Sequence, residues 1–183
     1  SHAPRREQSA KMLIDSFLPE GITSLAVDSI FMMPQLGVMA NIDKKSIAEE
    51  ARVAALEVFE KDCLIRLGTC VAPLGSMSKS EVPLKINLEF KNGEKKSIDL
   101  QSGELIRIEV DYEEVKAELI PAKGINVGAG KGEKIDTIIF GGQVGLIFDG
   151  RGRPLDVGSD SNERISNLKK WASALNEYPE LKE

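Results

Sequence analysis

The chain has 183 residues, of which 42% are hydrophobic, 29% charged and 5% aromatic, and its formal net charge is -5. These values indicate a globular protein long enough to bury a core without a disulfide framework or a structural metal. They argue against nucleic acid and anionic membranes as partners, because an acidic chain with few aromatic residues offers neither charge attraction nor base-stacking platforms. No apolar run approaches the roughly 20 residues that span a bilayer, and there is no secretion signal, so we expect a cytoplasmic protein.

The first third of the chain combines a helix and a strand. Residues 4–17 carry apolar side chains at helical spacing and predict a short amphipathic helix. Residues 22–31, "ITSLAVDSIF", predict a buried strand. We expect "MMPQLGVMANID", residues 32–43, to be an apolar connector, because Pro34 and Gly37 disfavour a continuing helix.

The clearest helical pattern lies in residues 46–61, "SIAEEARVAALEVFEK". Ser46 and Glu49 have the spacing of a capping box. The apolar stripe predicted to face the core consists of Ile47, Ala51, Ala54, Ala55, Val58 and Phe59. The acidic residues are expected on a solvated outer face and are Glu49, Glu50, Glu57 and Glu60.

From residue 63 to residue 149 the pattern changes to about seven strands separated by turns. Asn92-Gly93 is a hairpin signal between two of them. Residues 160–175 then predict a C-terminal helix, with Asp160 and Glu163 at the capping spacing. Its apolar stripe consists of Ile165, Leu168, Trp171 and Leu175. With no long helix between the strands, we predict an α+β fold: a β-rich barrel or sandwich of mostly antiparallel strands with flanking N-terminal, central and C-terminal helices.

This pattern divides the chain into three parts that we expect to form one compact domain. A helical and strand-bearing segment, residues 1–62, packs on a β-rich core of residues 63–158, and residues 159–183 form the C-terminal helix. No internal repeat or low-complexity linker separates them.

The sequence offers few groups for catalysis or metal binding. Its one histidine, His2, lies in a stretch that resembles the remnant of an expression tag and is set aside, which leaves no histidine for acid–base or metal chemistry. Cys63 and Cys70 are predicted to be buried free thiols. A bridge or shared metal between them would need a bend, for which Gly68 is the candidate.

Two glycine-rich stretches resemble phosphate loops. The first is "GINVGAGKGEK", residues 124–134. It departs from the P-loop pattern because its glycines are spaced differently and no Ser or Thr follows Lys131. No helix follows the stretch either, so the helix N-terminus that helps such loops to bind anions is missing. The alternatives are a tightly turned strand connection and a backbone nest that binds an anion with Lys131. The glycines expected to shape this loop are Gly128, Gly130 and Gly132.

The second stretch, "GGQVGLIFDGRGRPL", spans residues 141–155. Gly141 and Gly142 are expected to turn the chain into a buried strand. Gly150 and Gly152 then make a tight turn that carries Arg151 and Arg153. These arginines either project as a forked anion site, or pair with Asp149 and the acidic strands to fix the loop.

A cluster of acidic side chains lies in "IEVDYEE", residues 108–114. Glu109, Asp111, Glu113 and Glu114 could supply oxygen ligands or a carboxylate pair, and a solvated strand face is the simpler interpretation. No catalytic residue and no metal site are assigned from the sequence.

Four segments in a fixed order indicate a family resemblance. They are "LAVDSIFMMPQLGVMA" (25–40), "EKDCLIRLGTCVAPLG" (60–75), "PAKGINVGAGKGEK" (121–134) and "GGQVGLIFDGRGRPL" (141–155), followed by a helix that bears the one Trp. Together they resemble the C-terminal region of glutamate mutase L proteins, the MutL family of methylaspartate mutase accessory proteins, over about residues 10–178.

The resemblance implies a non-catalytic role in protein interaction or regulation beside adenosylcobalamin-dependent mutases, as part of a chaperone- or reactivase-like protein. Proteins of this family carry an actin-like ATPase region, whose phosphate motifs the chain does not contain, so we expect that region to lie outside it. The partners implied are the ATPase region and a cobalamin-dependent mutase, with no cofactor in this chain. The alternative function is a small-molecule or anion-binding domain that uses Lys131, Arg151 and Arg153.

Overall fold

The computed structural model describes residues 3–41, 48–75 and 82–179. Within them lie four α-helices and eight β-strands. The helices are α1 (Arg6–Phe17), α2 (Met33–Ala40), α3 (Ala48–Val58) and α4 (Ser161–Ala174), and a π-helical turn, Phe59–Cys63, continues α3. None of these helices is both long and apolar enough to cross a membrane.

The strands form two four-stranded sheets. Their bounds are β1 (Gly21–Asp28), β2 (Leu64–Ala72), β3 (Leu84–Glu89), β4 (Lys95–Leu100), β5 (Leu105–Ile108), β6 (Glu114–Pro121), β7 (Ile135–Phe140) and β8 (Gly145–Asp149). The strand order is β1-β2-β8-β5 in one sheet and β4-β3-β6-β7 in the other. β2 and β8 are parallel, whereas β3/β4, β3/β6, β6/β7 and β5/β8 are antiparallel. The α+β prediction is confirmed as a sandwich-like pair of sheets, and the described strands form no closed barrel.

The chain divides into two compact units. The smaller contains the described residues between 26 and 66, and the larger contains residues 3–25 together with the described residues from 67 onward. The predicted three-part division places its boundaries elsewhere, since α1 belongs with the sheets of the larger unit.

The core of the larger unit lies between the two sheets. Alternate residues of β3 and β6 point inward, as the pleat of a strand requires, and most residues on the opposite faces of the two strands carry charge. The buried cluster joins both sheets and contains Val71, Leu84, Ile86, Leu88, Leu100, Ile108, Val115, Ala117, Leu119, Val127, Ile139, Leu146 and Phe148. Burial of this apolar surface is the main stabilising contribution to the unit.

The smaller unit is built on α2 and α3. Leu36, Ala55 and Cys63 form its buried cluster. The expectation of a non-helical connector over the described part of 32–43 is wrong, because Pro34 lies in the first turn of α2, where a proline displaces no intrahelical hydrogen bond. The Asp28 carboxylate accepts the Met33 backbone N–H at 2.8 Å and so supports the beginning of this helix. The predicted cap at Ser46 and the stripe residue Ile47 lie outside the described residues.

The C-terminal helix follows the prediction at its beginning. The Asp160 side chain accepts the backbone N–H groups of Asn162 and Glu163. Only half of the predicted stripe is buried, since Trp171 and Leu175 face the core while Ile165 and Leu168 are exposed.

The thiols and the hairpin also follow the prediction. Cys63 and Cys70 are free and buried, and they do not share a strand, since Cys63 ends the π-helical turn. The Asn92-Gly93 hairpin joins β3 to β4, with Gly93 at a φ of 84°.

Candidate functional site

The candidate site centres on the Asp149 carboxylate, at the point where β8 ends. Its Oδ1 atom accepts hydrogen bonds from the backbone N–H and the Nε of Arg151, at 3.1 and 2.8 Å. Its Oδ2 atom accepts from the Arg151 Nη2 at 2.9 Å and from the Arg153 Nη2 at 3.0 Å. Two guanidinium groups therefore hold both oxygens of one fully buried carboxylate.

The same arginines reach the N-terminal helix and the turn that follows it. The Arg151 Nη1 donates to Asp15 Oδ1 at 2.8 Å, and Lys11 forms an ion pair with the other oxygen of Asp15. Arg153 donates from Nε and Nη2 to the Pro19 carbonyl oxygen at 3.1 and 2.9 Å. Arg151 and Asp15 are 136 positions apart in the chain, and Arg153 and Pro19 are 134 positions apart. These bonds therefore connect the loop after β8 to α1 and the turn that follows it.

Trp171 of α4 closes the site on another side. Its ring lies beneath the Arg151 guanidinium, with 5.0 Å between the guanidinium carbon and the ring centroid. The indole Nε1 donates to the Gly103 carbonyl oxygen at 3.0 Å. A buried Trp needs such an acceptor, and this one anchors α4 to the turn before β5.

The electrostatics of the network are set by opposing effects. Burial by itself would raise the pKa of Asp149, but the hydrogen bonds and charge of Arg151, together with the charge of Arg153, outweigh it and hold this pKa below its ordinary value. Burial likewise opposes the charge of Arg151, and the Asp149 and Asp15 carboxylates raise the pKa of Arg151 in spite of it. Burial, followed by the nearby Asp149 charge, raises the pKa of the Cys70 thiol to about 12. The Asp149 carboxylate and the Arg151 guanidinium are therefore charged at neutral pH, and the Cys70 thiol is not a nucleophile there.

A cleft of about 660 Å³ opens beside the network. Its lining includes three cationic side chains, from Arg151, Arg153 and Lys170, and two acidic ones, from Asp156 and Glu163. Lys170 is exposed, whereas the donors of the two arginines are mostly engaged within the protein. Of the cations in the cleft, Lys170 is thus the most available to a dissolved anion.

Lys131 lies apart from this cleft. It is exposed, and it belongs to the 124–134 loop rather than to the residues that line the cleft. In that loop the Asn126 Oδ1 accepts the backbone N–H groups of Gly128 and Gly130, at 2.8 and 3.0 Å. Two N–H groups that could otherwise bind an anion therefore donate to a side-chain oxygen of the same loop, as in a tightly turned connection.

The acidic residues near β5 do not gather around a metal-sized space. Glu109 pairs with the Arg107 Nη2 at 3.2 Å, and Asp111, Glu113 and Glu114 are exposed. Across the described residues, no group of three or more His, Cys, Asp or Glu side chains is placed to hold a metal ion. The cluster has the surroundings of a solvated strand and turn.

The structure thus unites two of the three predicted anion-binding residues and separates the third. Arg151 and Arg153 meet on Asp149, in the arrangement expected if they fix the loop. The sequence interpretation missed Asp15 and the stacking of Trp171. Nothing near Asp15 in the sequence indicates that it pairs with Arg151, whereas a single Trp on a predicted core stripe is a signal that an arginine or a carbonyl group lies close by.

The fold and the site define a two-sheet α+β protein in which the buried charged groups around Asp149 pair with one another. Comparisons of the chain with protein-family models, with curated proteins and with solved structures found no match. The resemblance to glutamate mutase L proteins accordingly stays a prediction.

Proposed function

We propose that the chain is a non-catalytic interaction module of a chaperone- or reactivase-like accessory protein that acts beside adenosylcobalamin-dependent mutases in the cytoplasm. Its partners are the ATPase region of a glutamate mutase L protein and the mutase itself. The resemblance of four ordered sequence segments supports the family. The structural observation that supports an interaction role is the apolar surface of the smaller unit.

This apolar surface is formed by α2, α3 and the residues just before α2. Val38 alone leaves 75% of its surface exposed, in the middle of a helix of eight residues. Exposed apolar side chains scattered singly are ordinary, but a concentration of them is typical of protein contacts. The exposed members are Ile30, Phe31, Met33, Val38, Met39, Val53, Leu56 and Val58.

The arrangement of charged groups in the larger unit suits a role without catalysis. General acid–base work needs a group near neutral pKa that can reach a substrate. Asp149 is instead held ionised by two arginines, and its side chain is wholly buried. The network stabilises the loop after β8 rather than presenting a reactive group.

The test is direct binding. The purified chain is titrated with the ATPase region of a glutamate mutase L protein, and separately with an adenosylcobalamin-dependent mutase, by calorimetry. We expect a saturable complex with at least one of them. Failure to bind either protein at protein concentrations of about 100 µM, where even weak specific complexes form, would overturn the proposal.

The cleft beside Arg151 and Arg153 supports a second candidate, the binding of an anionic small molecule. Inorganic phosphate or a nucleotide should then raise the melting temperature. Lys170→Ala should abolish this rise, because it removes an exposed cation of the cleft and leaves the buried network intact. Lys131→Ala shows whether the 124–134 loop takes part. An unchanged melting temperature in the presence of these anions would overturn this candidate.

A further inference from the structure

The side of α3 that points away from the α2–α3 contact is apolar at its centre. Val53 and Leu56 are 49% and 57% exposed, and they are three positions apart, so their side chains are neighbours on the helix surface. Ala55, which faces α2, is buried. We call the surface formed by Val53, Leu56, Glu49 and Glu57 the α3 outer face.

Acidic side chains flank this apolar pair. Glu49 precedes Val53 by four positions and Glu57 follows it by four, so the three side chains form one row along the helix. Between residues 48 and 63 there are five acidic and two basic residues. The excess of negative charge surrounds apolar side chains, which is not the pattern of a purely solvated helix face.

The flanking acids remain available to a partner. Glu49 pairs with Arg52 at 3.9 Å and Glu57 pairs with Lys61 at 3.8 Å, and in each pair both side chains are more than 60% exposed. Exposed ion pairs of this length contribute little to stability, so a better-placed cation of a partner can replace Arg52 or Lys61. Glu50 and Glu60 are exposed as well and extend the negative potential along the helix.

We infer that the α3 outer face is a docking surface for a basic amphipathic helix of a partner protein. This inference rests on the proposed function and names its surface and the chemistry of its partner. The apolar stripe of such a helix covers Val53 and Leu56, and its flanking Lys or Arg side chains meet Glu49 and Glu57. Apolar contact then supplies affinity, while the charges select basic helices and speed their association.

The probe is a synthetic amphipathic peptide of about five helical turns, with leucines along one face and lysines beside them. Its binding to the full chain is measured by fluorescence anisotropy. A second peptide, with glutamates in place of the lysines, keeps the apolar face and reverses the charge. We expect the lysine peptide to bind at least about tenfold more tightly than the glutamate peptide, with an advantage that shrinks as salt is added.

Two variants of the chain test the surface. Val53→Ala with Leu56→Ala removes the apolar pair, and alanine preserves the helix because it has the highest helix propensity. This variant should bind the lysine peptide about tenfold or more weakly. Glu49→Gln with Glu57→Gln should weaken this binding by a comparable factor and abolish the preference over the glutamate peptide.

Matched controls carry the same kinds of change elsewhere. Ile165→Ala with Leu168→Ala truncates another exposed apolar pair three positions apart, on α4 of the larger unit, and Glu113→Gln with Glu114→Gln removes two exposed acids of the same unit. Both should leave peptide affinity within about twofold of the parent value, since surfaces outside a contact contribute little. Equal weakening in the controls, equal affinity for the two peptides, or no binding would overturn the inference.

The inference and the proposed function fail in different ways. If the chain binds the mutase or the ATPase region and the Val53→Ala, Leu56→Ala variant binds it equally well, the docking surface is wrong and the proposed function stands. If the peptide results are as expected but neither protein binds, the proposed function is wrong, and the α3 outer face serves a different partner with a basic helix.

Discussion

At the scale of single residues, Asp149 is the position on which the most contacts converge. Its two oxygens accept four hydrogen bonds from Arg151 and Arg153, and the arginines extend to Asp15 and Pro19. A buried ion pair adds little stability compared with apolar packing, but the loss of one member leaves the other charged and unpaired. The network therefore acts chiefly as a constraint on the geometry of the loop after β8.

Asp149→Asn tests this constraint. The change leaves two guanidinium groups facing a neutral amide in a buried place, so we expect the free energy of unfolding to fall by about 3 kcal/mol or more. Urea denaturation followed by tryptophan fluorescence measures it, because Trp171 stacks on Arg151. Arg52→Gln, which removes a member of an exposed pair, is the control and should cost less than about 0.5 kcal/mol. Equal costs for the two variants would contradict the role assigned to the network.

The lowered pKa of Asp149 has a consequence for stability in acid. A carboxyl group whose pKa is lower in the folded than in the unfolded chain stabilises the fold above its unfolded value, about 3.9, and this contribution is lost as the pH falls through the folded value. The difference in unfolding free energy between the parent and Asp149→Asn should therefore be constant from neutral pH down to about pH 4.5 and shrink below it. A difference that does not change on acidification would contradict the assigned direction.

Alanine substitutions at Gly141 and Gly37 should change the stability of the fold in opposite directions. A Cβ at Gly141 would overlap the Asp111 carbonyl oxygen, whereas a Cβ at Gly37, inside α2, would meet nothing within 4 Å. Gly141→Ala should cost about 2 kcal/mol or more, since the two backbone segments are held together by hydrogen bonds from the Gly141 and Gly142 N–H groups to the Glu113 and Val110 carbonyl oxygens. Gly37→Ala should stabilise its helix by about 0.5–1 kcal/mol. Thermal unfolding of both variants measures the two signs, and a neutral Gly141→Ala would refute the close approach.

At the scale of elements, the sequence pattern identified most strands and helices because their information is local. The alternation in β3 and β6 and the capping residue before α4 each lie within a few positions of the element they specify. The pattern failed at α2, where Pro34 was interpreted as a helix breaker although it lies in the first turn. It also failed for Ile165 and Leu168, since spacing shows which residues share a face and not how far that face is covered.

Asp160 offers a test at this scale. Its carboxylate accepts two backbone N–H groups at the beginning of α4, from Asn162 at 2.8 Å and Glu163 at 3.0 Å. Asp160→Ala leaves both donors to water and removes a negative charge from the positive end of the helix, so we expect a loss of about 1 kcal/mol. Asp160→Asn keeps the hydrogen-bond acceptor, so this variant should retain most of the stability that Asp160→Ala loses. If Asp160→Asn is as unstable as Asp160→Ala, the hydrogen bonds do not carry the effect.

At the scale of the whole molecule, contacts between residues far apart in the chain could not be predicted from the sequence. Asp149, Arg151 and Arg153 could be found because they lie within five positions of one another, and pairing among them was one of two stated alternatives. Asp15 and Pro19 could not be found, because no local rule connects α1 with the loop after β8. Lys131 was grouped with the arginines because it is cationic and lies in the other glycine-rich stretch, but two backbone N–H groups of its loop donate to Asn126.

The two compact units differ in how much apolar surface each buries, and this predicts unequal local stability. The buried cluster of the larger unit draws on strands of both sheets, whereas that of the smaller unit consists of Leu36, Ala55 and Cys63. Amide hydrogen exchange at neutral pH should therefore show α2 and α3 opening at least about tenfold more readily than β3 and β6. Gly37→Ala should slow exchange in α2 and leave β3 unchanged, which serves as the internal control. Equal protection of the helices and the strands would instead show that the chain opens only as a single cooperative body.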